Sequence, residues 1–412
     1  MSSKFSFFAI YYLYRKEGSF VIINGFSYLS MLLIIVGIVL LMENSGRAKV
    51  FKYIPSIVLV YFLVMLGCSL GVWGKSESID NIYLSLKDNL LPSMIFLMLL
   101  RCDMKKIIKL GPKMILGFIS STISIGVGFV LSYSIFKNSL PYESWKIFSA
   151  LSGTWMGGTG NMVALQKIFD ISDNAMGYVL ITDSINYSLW VMILLWAVAF
   201  APRFNKWTKS NTFELDKIGE ELNNIDIAQK NKEDNIDKVE FYHIILLLAL
   251  SFGASAFSQY ISKLLPSTYV LTESAWCTII VTILGICAAS TRISKIPGST
   301  IISSVFLYVI VALMGSRANI AELGQAPIFI LSGAVVILIH AIIMIVVAKL
   351  LKLDLFTCGV SSLSNIGGVA SAPILASAYN DSLIPVGILM SLLGYVVGTG
   401  AGIIIGNILM RI

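Results

Sequence analysis

Stretches of apolar residues long enough to cross a bilayer, which takes about 20 residues as helix, recur along the whole chain. Hydropathy and breaker residues mark spans at 26–42, 53–73, 90–100, 114–136, 145–169 and 176–201, then at 241–261, 276–290, 299–315, 326–350, 356–379 and 385–410. A chain so patterned folds as an all-α polytopic membrane protein. Composition agrees, because 57% of the 412 residues are hydrophobic and 13% charged, against about 45–50% and about 25% in soluble domains.

The net charge of +7 sits in short clusters between the spans, where cytoplasmic loops hold basic residues, so it reads as topology and not as a nucleic-acid surface. Cys68, Cys102, Cys277, Cys287 and Cys358 form no CxxC pair, which argues against a disulfide framework or a zinc site. Two histidines, His243 and His340, cannot build a histidine-rich metal centre. Walker and HExxH motifs are missing, so ATP-driven transport is not expected, and the protein is read as a non-enzyme. No cleavable leader is expected, since the apolar stretch 5–14 precedes Arg15 and Lys16. Residues 202–240 hold seven basic and nine acidic residues and read as a solvated linker with at most a short amphipathic helix. The chain thus divides into an interfacial segment (1–25), a first membrane repeat (26–201), the linker (202–240) and a second membrane repeat (241–412).

The two halves share local matches in the same order. Ile107 to Gly111 (IIKLG) parallels Ile320 to Gly324 (IAELG). In the fifth span, Leu151-Ser152 and Gly157-Gly158 parallel Leu363-Ser364 and Gly367-Gly368, and in the sixth, Asp183 to Tyr187 parallels Ser391 to Tyr395. The offset drifts only from 213 to 210 to 208 residues, which is how internal repeats announce themselves. If all six spans cross, the copies are parallel. If each fifth span enters and leaves on one side, five crossings remain and the copies are inverted. The second arrangement gathers 19 of the 30 basic residues on one side, as the positive-inside rule favours, although Lys4, Arg15 and Lys16 fall opposite. The expected architecture is two inverted repeats, each of about five crossing helices plus a broken or re-entrant segment.

The fifth spans carry the chemistry. Four glycines fall within the ten residues Ser152 to Asn161, among Ser152, Thr154, Thr159 and Asn161; each glycine costs a helix interior about 1 kcal/mol relative to alanine. Inside a bilayer the freed backbone groups persist only where protein or a wet cavity satisfies them. The second copy repeats the pattern with Ser361, Ser362, Ser364, Asn365, Gly367, Gly368, Ser371 and Pro373. Such breaks offer N–H groups to an anion and carbonyl or hydroxyl oxygens to Na⁺; the plainer reading is close helix packing by small residues. Gly394, Gly398, Gly402 and Gly406, at four-residue spacing, are assigned to packing alone. Asp183, with Asn186 one turn on, is a carboxylate within a span and marks an ion path by default. His340 reads as a satisfied packing histidine, and Asp103 with Arg101, Lys105 and Lys106 as an interfacial cluster.

Gly157-Gly158-Thr159-Gly160 resembles the GGxG signature that glutamate:sodium symporters and 2-hydroxycarboxylate transporters carry in paired re-entrant loops of inverted halves. The second copy departs from it, reading Gly367-Gly368-Val369-Ala370. Ser149 to Asp170 and Ser361 to Asn380 more closely resemble the YjcL-like membrane proteins, a family built on a domain of unknown function (number 819) and similar to the cation/proton antiporter and anion transporter superfamily. That resemblance, over nearly the whole chain, implies a secondary transporter with a mobile core, a scaffold that often dimerises, and elevator-type alternating access. It implies no substrate, and Ala370 breaks direct transfer of the second anion-binding loop.

The expected function is ion-coupled secondary transport of a small anionic or zwitterionic organic solute, in a multi-pass protein of the cell membrane. Ser152, Thr154, Gly157, Gly158, Thr159, Gly160, Asn161, Ser364, Asn365, Gly367, Gly368 and Ser371 frame the solute and ion sites, while Asp183 and Asn186 complete a Na⁺ site. Na⁺ is preferred to H⁺ as the coupling ion because neutral oxygens outnumber carboxylates in the spans, and no other cofactor is expected. Partners are the lipid bilayer, the solute and a second copy of the chain, without nucleic acid. Rival readings are a monovalent cation/proton antiporter working through Asp183, and a non-transporting receptor or scaffold.

Overall fold

The computed structural model describes residues 13–16, 19–46, 51, 54–102, 107–211, 239–267 and 272–412. Asp103, Lys105, Lys106 and most of the linker and N-terminal segment lie outside those residues. A short antiparallel hairpin, β1 (Leu13–Lys16) and β2 (Ser19–Ile22), pairs Leu13 with Ile22. Everything after it is helical. The first half holds α1 (Gly25–Asn44), α2 (Ser56–Ser69), α3 (Glu77–Leu99), α4 (Gly111–Phe136), α5 (Ser144–Gly157), α6 (Thr159–Ile168), α7 (Asp173–Ala197) and the short α8 (Ala201–Thr208). The second holds α9 (Phe241–Leu264), α10 (Glu273–Ala289), α11 (Ser299–Gly315), α12 (Ala326–Leu351), α13 (Leu355–Ile366), α14 (Ala372–Tyr379) and α15 (Ile384–Leu409). Among the described residues seven helical stretches are long and apolar enough to span a bilayer, and the chain is a multi-pass membrane protein.

Helix starts follow local chemistry. Asn24, Ser76, Ser172, Thr272 and Asp354 cap α1, α3, α7, α10 and α13 by accepting a backbone N–H, which satisfies one of the orphan donors of each first turn. The matched IIKLG and IAELG segments immediately precede α4 and α12, and both helices begin with proline, Pro112 and Pro327, whose fixed φ suits a first turn.

One boundary differs markedly from expectation. The third span, expected over 90–100, is a helix from Glu77 to Leu99. Its first half is charged, and three of those charges have protein partners: Lys87 pairs with Asp173 at 3.2 Å, and, closer to the surface, Asp88 with Lys167 at 2.8 Å and Asp80 with Arg317 at 2.5 Å. Hydropathy undervalues a helix whose polar groups have protein partners. The expected amphipathic helix in the linker is α8, anchored by Asn205 Oδ1, which accepts the Leu355 N–H at 2.9 Å, and by Lys349, which donates to the Trp207 carbonyl.

The helices pack in two groups, and each draws on both halves of the chain. In one, α3 packs on α9, α10 and α11, with α1 and α2 against them. In the other, α4 packs along α12, α5 along α15, and α13 against α4, α5 and α15, with α7 on α12.

Candidate functional site

Both fifth spans are helical hairpins. α5 and α6 reverse about Gly158, where φ is +85° and ψ 176°, a region nearly confined to glycine that costs another residue about 1–3 kcal/mol. The limbs then return side by side: a Cβ on Gly153 would stand 3.2 Å from the Asn161 carbonyl oxygen, and Trp145 meets Phe169 edge-on at 5.6 Å between ring centroids. α13 and α14 repeat the device. Gly368 has φ +59° at the tip, and Phe356 meets Tyr379 edge-on at 5.3 Å at the open end. Limbs of 14 and 10 residues, and of 12 and 8, rise about 1.5 Å per residue, so each is shorter than a hydrocarbon core of about 30 Å.

The two tips meet on α15. A Cβ on Gly394 would stand 3.2 Å from the Ser364 carbonyl oxygen of one hairpin and 3.3 Å from the Gly157 Cα of the other. Each tip is also covered by a tyrosine from the last long helix of the opposite half. Tyr395 of α15 lies over Gly158, with its Cε1 3.5 Å from where a Cβ would be, and Tyr187 of α7 lies over Gly367 beside Ser371. Asp183, one turn before Tyr187, accepts the Trp155 indole N–H at 2.8 Å, which ties α7 to the end of α5. Gly158, Thr159, Asp183, Tyr187, Gly367 and Tyr395 are partly exposed among buried neighbours and make up the accessible part of the tip junction.

Orphaned hydroxyls adjoin it. Thr154 is 2% exposed and Ser364 0%, each three residues before the first glycine of its tip, and neither hydroxyl has a hydrogen-bond partner. A buried polar group left unpaired costs about 1–3 kcal/mol, and natural structures keep few of them. These two are therefore the best-supported solute contacts of the residues singled out from sequence.

Other candidates are committed to protein. Ser152 returns its hydroxyl proton to the Ser149 carbonyl at 2.8 Å. The Asn161 amide donates to the Gly157 carbonyl at 2.5 Å and its oxygen accepts from Thr399, which clamps the tip to α15. Asn365 accepts from Thr122 at 2.8 Å and donates to the Ser361 carbonyl at 2.9 Å. Gly160 abuts Met98 of α3 at the seam between the two packing groups. Asn186 does not converge with Asp183: its amide donates to the Thr182 and Ile330 carbonyls, at 3.0 and 3.1 Å, and it packs on Gly333 of α12.

The glycines of α15 do what their spacing implied. Gly398 receives the Gly157 Cα and Asn161, Gly402 receives Leu165, and Gly406 receives Phe169, so α6 side chains at four-residue intervals lie in a groove that lacks Cβ atoms. His340, fully buried, is satisfied at both ring nitrogens by Ser124 (2.7 Å) and Ser362 (2.8 Å). Trp190, whose indole can only donate, gives its N–H to Ser362 at 2.8 Å, and Ser124 lies within hydrogen-bond reach of the Ser121 carbonyl at 2.8 Å.

Sequence reasoning missed Trp155, Tyr187, Tyr395 and the two aromatic clasps. Their signal was present, because Trp145 and Phe356, Phe169 and Tyr379, and Tyr187 and Tyr395 recur at offsets of 211, 210 and 208 residues.

Residues 30–412 match a family described only as proteins of unknown function, DUF819. The chain belongs to this family. It is also 22% identical, over 327 residues, to the uncharacterized membrane protein YjcL of Bacillus subtilis (strain 168), an alignment covering 77% of this chain and 81% of YjcL.

Proposed function

We propose that this DUF819 protein is an ion-coupled secondary transporter of a small polar organic solute, anionic or zwitterionic, with Na⁺ as the coupled ion. One observation carries the reading: two hairpins from the two halves meet tip to tip, and each tip is covered by a tyrosine of the opposite half; the partly exposed polar groups beside them are read as the recess for solute. A recess built from two repeats is where secondary transporters hold solute, with broken helices supplying N–H groups and carbonyls. Gly158 begins α6 without a side-chain cap, which leaves the first N–H groups of that helix available to an anion. Thr154 and Ser364 add hydroxyls, and Asp183 supplies the carboxylate nearest the tips.

The same geometry supports inversion. Reading both hairpins as re-entrant leaves five crossings per half, α1 to α4 with α7 and α9 to α12 with α15. An odd number turns the second copy over, in line with the 19 of 30 basic residues that this topology puts on one side. The group of α4–α7 and α12–α15 is then the core that carries the site. The group of α1–α3 and α9–α11 is the scaffold, and an elevator-type slide between them, in a dimer held by scaffolds, is the expected motion. The GGxG likeness of Gly157 to Gly160 to glutamate:sodium symporters points the same way.

A cation/proton antiporter is the second reading, favoured by the partly exposed Asp183 with its single indole donor. Thermal unfolding of the purified protein against panels of small carboxylates and amino acids, with Na⁺ or with choline, separates the two, because a ligand of the folded state raises its stability by mass action. A solute shift that requires Na⁺ is the expected result. A shift by Na⁺ or pH alone, with no solute adding to it, would replace symport by antiport.

A further inference from the structure

Hydroxyls on membrane helices commonly return their proton to the carbonyl three or four residues back, as Ser93, Ser149, Ser188 and Ser391 do here. Ser121 on α4 and Ser361 on α13 do not. Both are 0% exposed, and neither Oγ has any hydrogen-bond partner. Their rotamers turn away from a bond that each helix offers.

The two hydroxyls belong to one interface. α4 and α13 advance together: Thr357 Oγ1 lies 3.3 Å from Met114 Sδ, a Cβ on Gly117 would stand 2.8 Å from Ser361 Oγ, and Thr122 Oγ1 meets Asn365 Oδ1 at 2.8 Å. Ser121 is one turn past Gly117 and next to Thr122, which sets it between the contact at Ser361 and the contact at Asn365. Gly117 is itself part of the arrangement, because a side chain there would occupy the place of the Ser361 hydroxyl. Four neutral oxygens, Ser121 Oγ, Thr122 Oγ1, Ser361 Oγ and Asn365 Oδ1, thus gather within about a turn of each helix. Asp354, about two turns before Ser361, is occupied in capping α13 and in accepting from Thr357 at 2.7 Å.

We propose that this interface is a Na⁺ site, with Ser121 and Ser361 as principal ligands and Thr122 and Asn365 completing the shell. Hydroxyl and amide oxygens suit hard cations, and a set without a carboxylate suits a single charge. The role of the ion in coupling rests on the transporter reading. An ion here fastens the longer limb of the second hairpin to α4, one turn below the orphaned Ser364 and two below Gly367, so its arrival is felt at the tip. The site is distinct from Asp183, which lies against α5.

The test is thermal unfolding of the full chain in detergent, titrated with NaCl against choline chloride at constant ionic strength, with KCl as a size control. Na⁺ is expected to raise the midpoint saturably. The S121A/S361A double variant should match the wild-type midpoint in choline, since those hydroxyls hold no protein partner, and should lose the Na⁺ shift or require at least tenfold more Na⁺. A Na⁺ shift undiminished in the double variant, or none in the wild type, overturns the site. So does an equal midpoint change in Na⁺ and choline, which marks a buried water. If the double variant does not fold, S361C, which keeps the volume but not the hard oxygen, is read in the same way. Na⁺ binding without any solute flux in vesicles sinks the transporter reading alone; flux that needs Na⁺ with the S121A/S361A response unchanged sinks this site alone.

Discussion

The two hairpins share a plan and differ in what their polar atoms do. In the first, α6 lies in the glycine groove of α15, and Asn161 is bound on both sides of its amide. In the second, α13 carries Ser361 and Ser364 with hydroxyls that nothing in the protein satisfies. The first hairpin leaves the Thr154 hydroxyl unpaired and is otherwise closed at its tip, and the second keeps more polar capacity in reserve, at Ser361 and Ser364. Sequence repeats copy a shape, and the division of labour is written afterwards in side chains.

The largest effect should come from breaking the closed hairpin. A Cβ on Gly398 would stand 2.6 Å from the Gly157 Cα, so backbone meets backbone and neither side can give way. Gly398→Leu should cost about 3 kcal/mol or more, the upper part of the range for overpacking, and show as loss of monodisperse protein. Gly368→Ala is the counterpart in the open hairpin. A Cβ there meets nothing within 4 Å, which leaves only the strain of φ +59°, about 1–2 kcal/mol. If both variants fall equally far in thermal unfolding, the contrast between the hairpins is wrong.

Next comes the tie that holds the second hairpin to α4, α7 and α12. His340→Ala removes both ring nitrogens and takes a hydrogen-bond partner from Ser124 and from Ser362. The expected loss is about 2–4 kcal/mol in thermal unfolding, combining a cavity with newly unpaired polar groups. A loss below about 1 kcal/mol would mean that water replaces the ring, as a roomy polar site allows.

Asp183→Asn tests the recess itself. The Trp155 indole still has an oxygen to donate to, so folding should hold, while ion-dependent uptake should fall about tenfold to a hundredfold, the worth of a hydrogen bond to a charged group. Vesicle uptake at fixed Na⁺ reads the outcome. Unchanged uptake removes the carboxylate from the ion path and leaves the neutral oxygens of α4 and α13 to carry it.

Much of this was legible in sequence, for a physical reason in each case. Spans such as 299–315 are apolar throughout, and α11 has those bounds. The breaks at Gly158 and Gly368 were readable because glycines clustered among hydroxyl and amide residues recur in both fifth spans. Charged α3 was half lost, since Lys87 and Asp88 find partners that lie 86 and 79 positions away in the chain. Asn186 shares a helix with Asp183 and the two were read as one site, but side chains three residues apart diverge enough for one to meet α12 and the other α5. Polar residue type alone also could not separate Asn161 from Ser364, because the difference lies in which neighbour each faces.

The smallest effect belongs to the base of the first hairpin, where α6 and α7 meet α3 across the two packing groups. Asp173 is 13% exposed there, accepts from Tyr83 at 2.6 Å and Gln166 at 2.7 Å, and pairs with Lys87. The neighbouring pair, Lys167 with Asp88, is 22% and 52% exposed. Water and salt screen such a pair, so Lys167→Met should shift stability by under about 1 kcal/mol, and the shift should vanish in concentrated choline chloride, which screens charge without supplying Na⁺. Lys87→Met should cost more and keep its cost in salt, because Asp173 then holds a buried charge on neutral donors alone. Equal salt sensitivity of the two variants would show that this base is as wet as its surface. The hairpin's fixity would then rest on the glycine groove of α15 and not on charge.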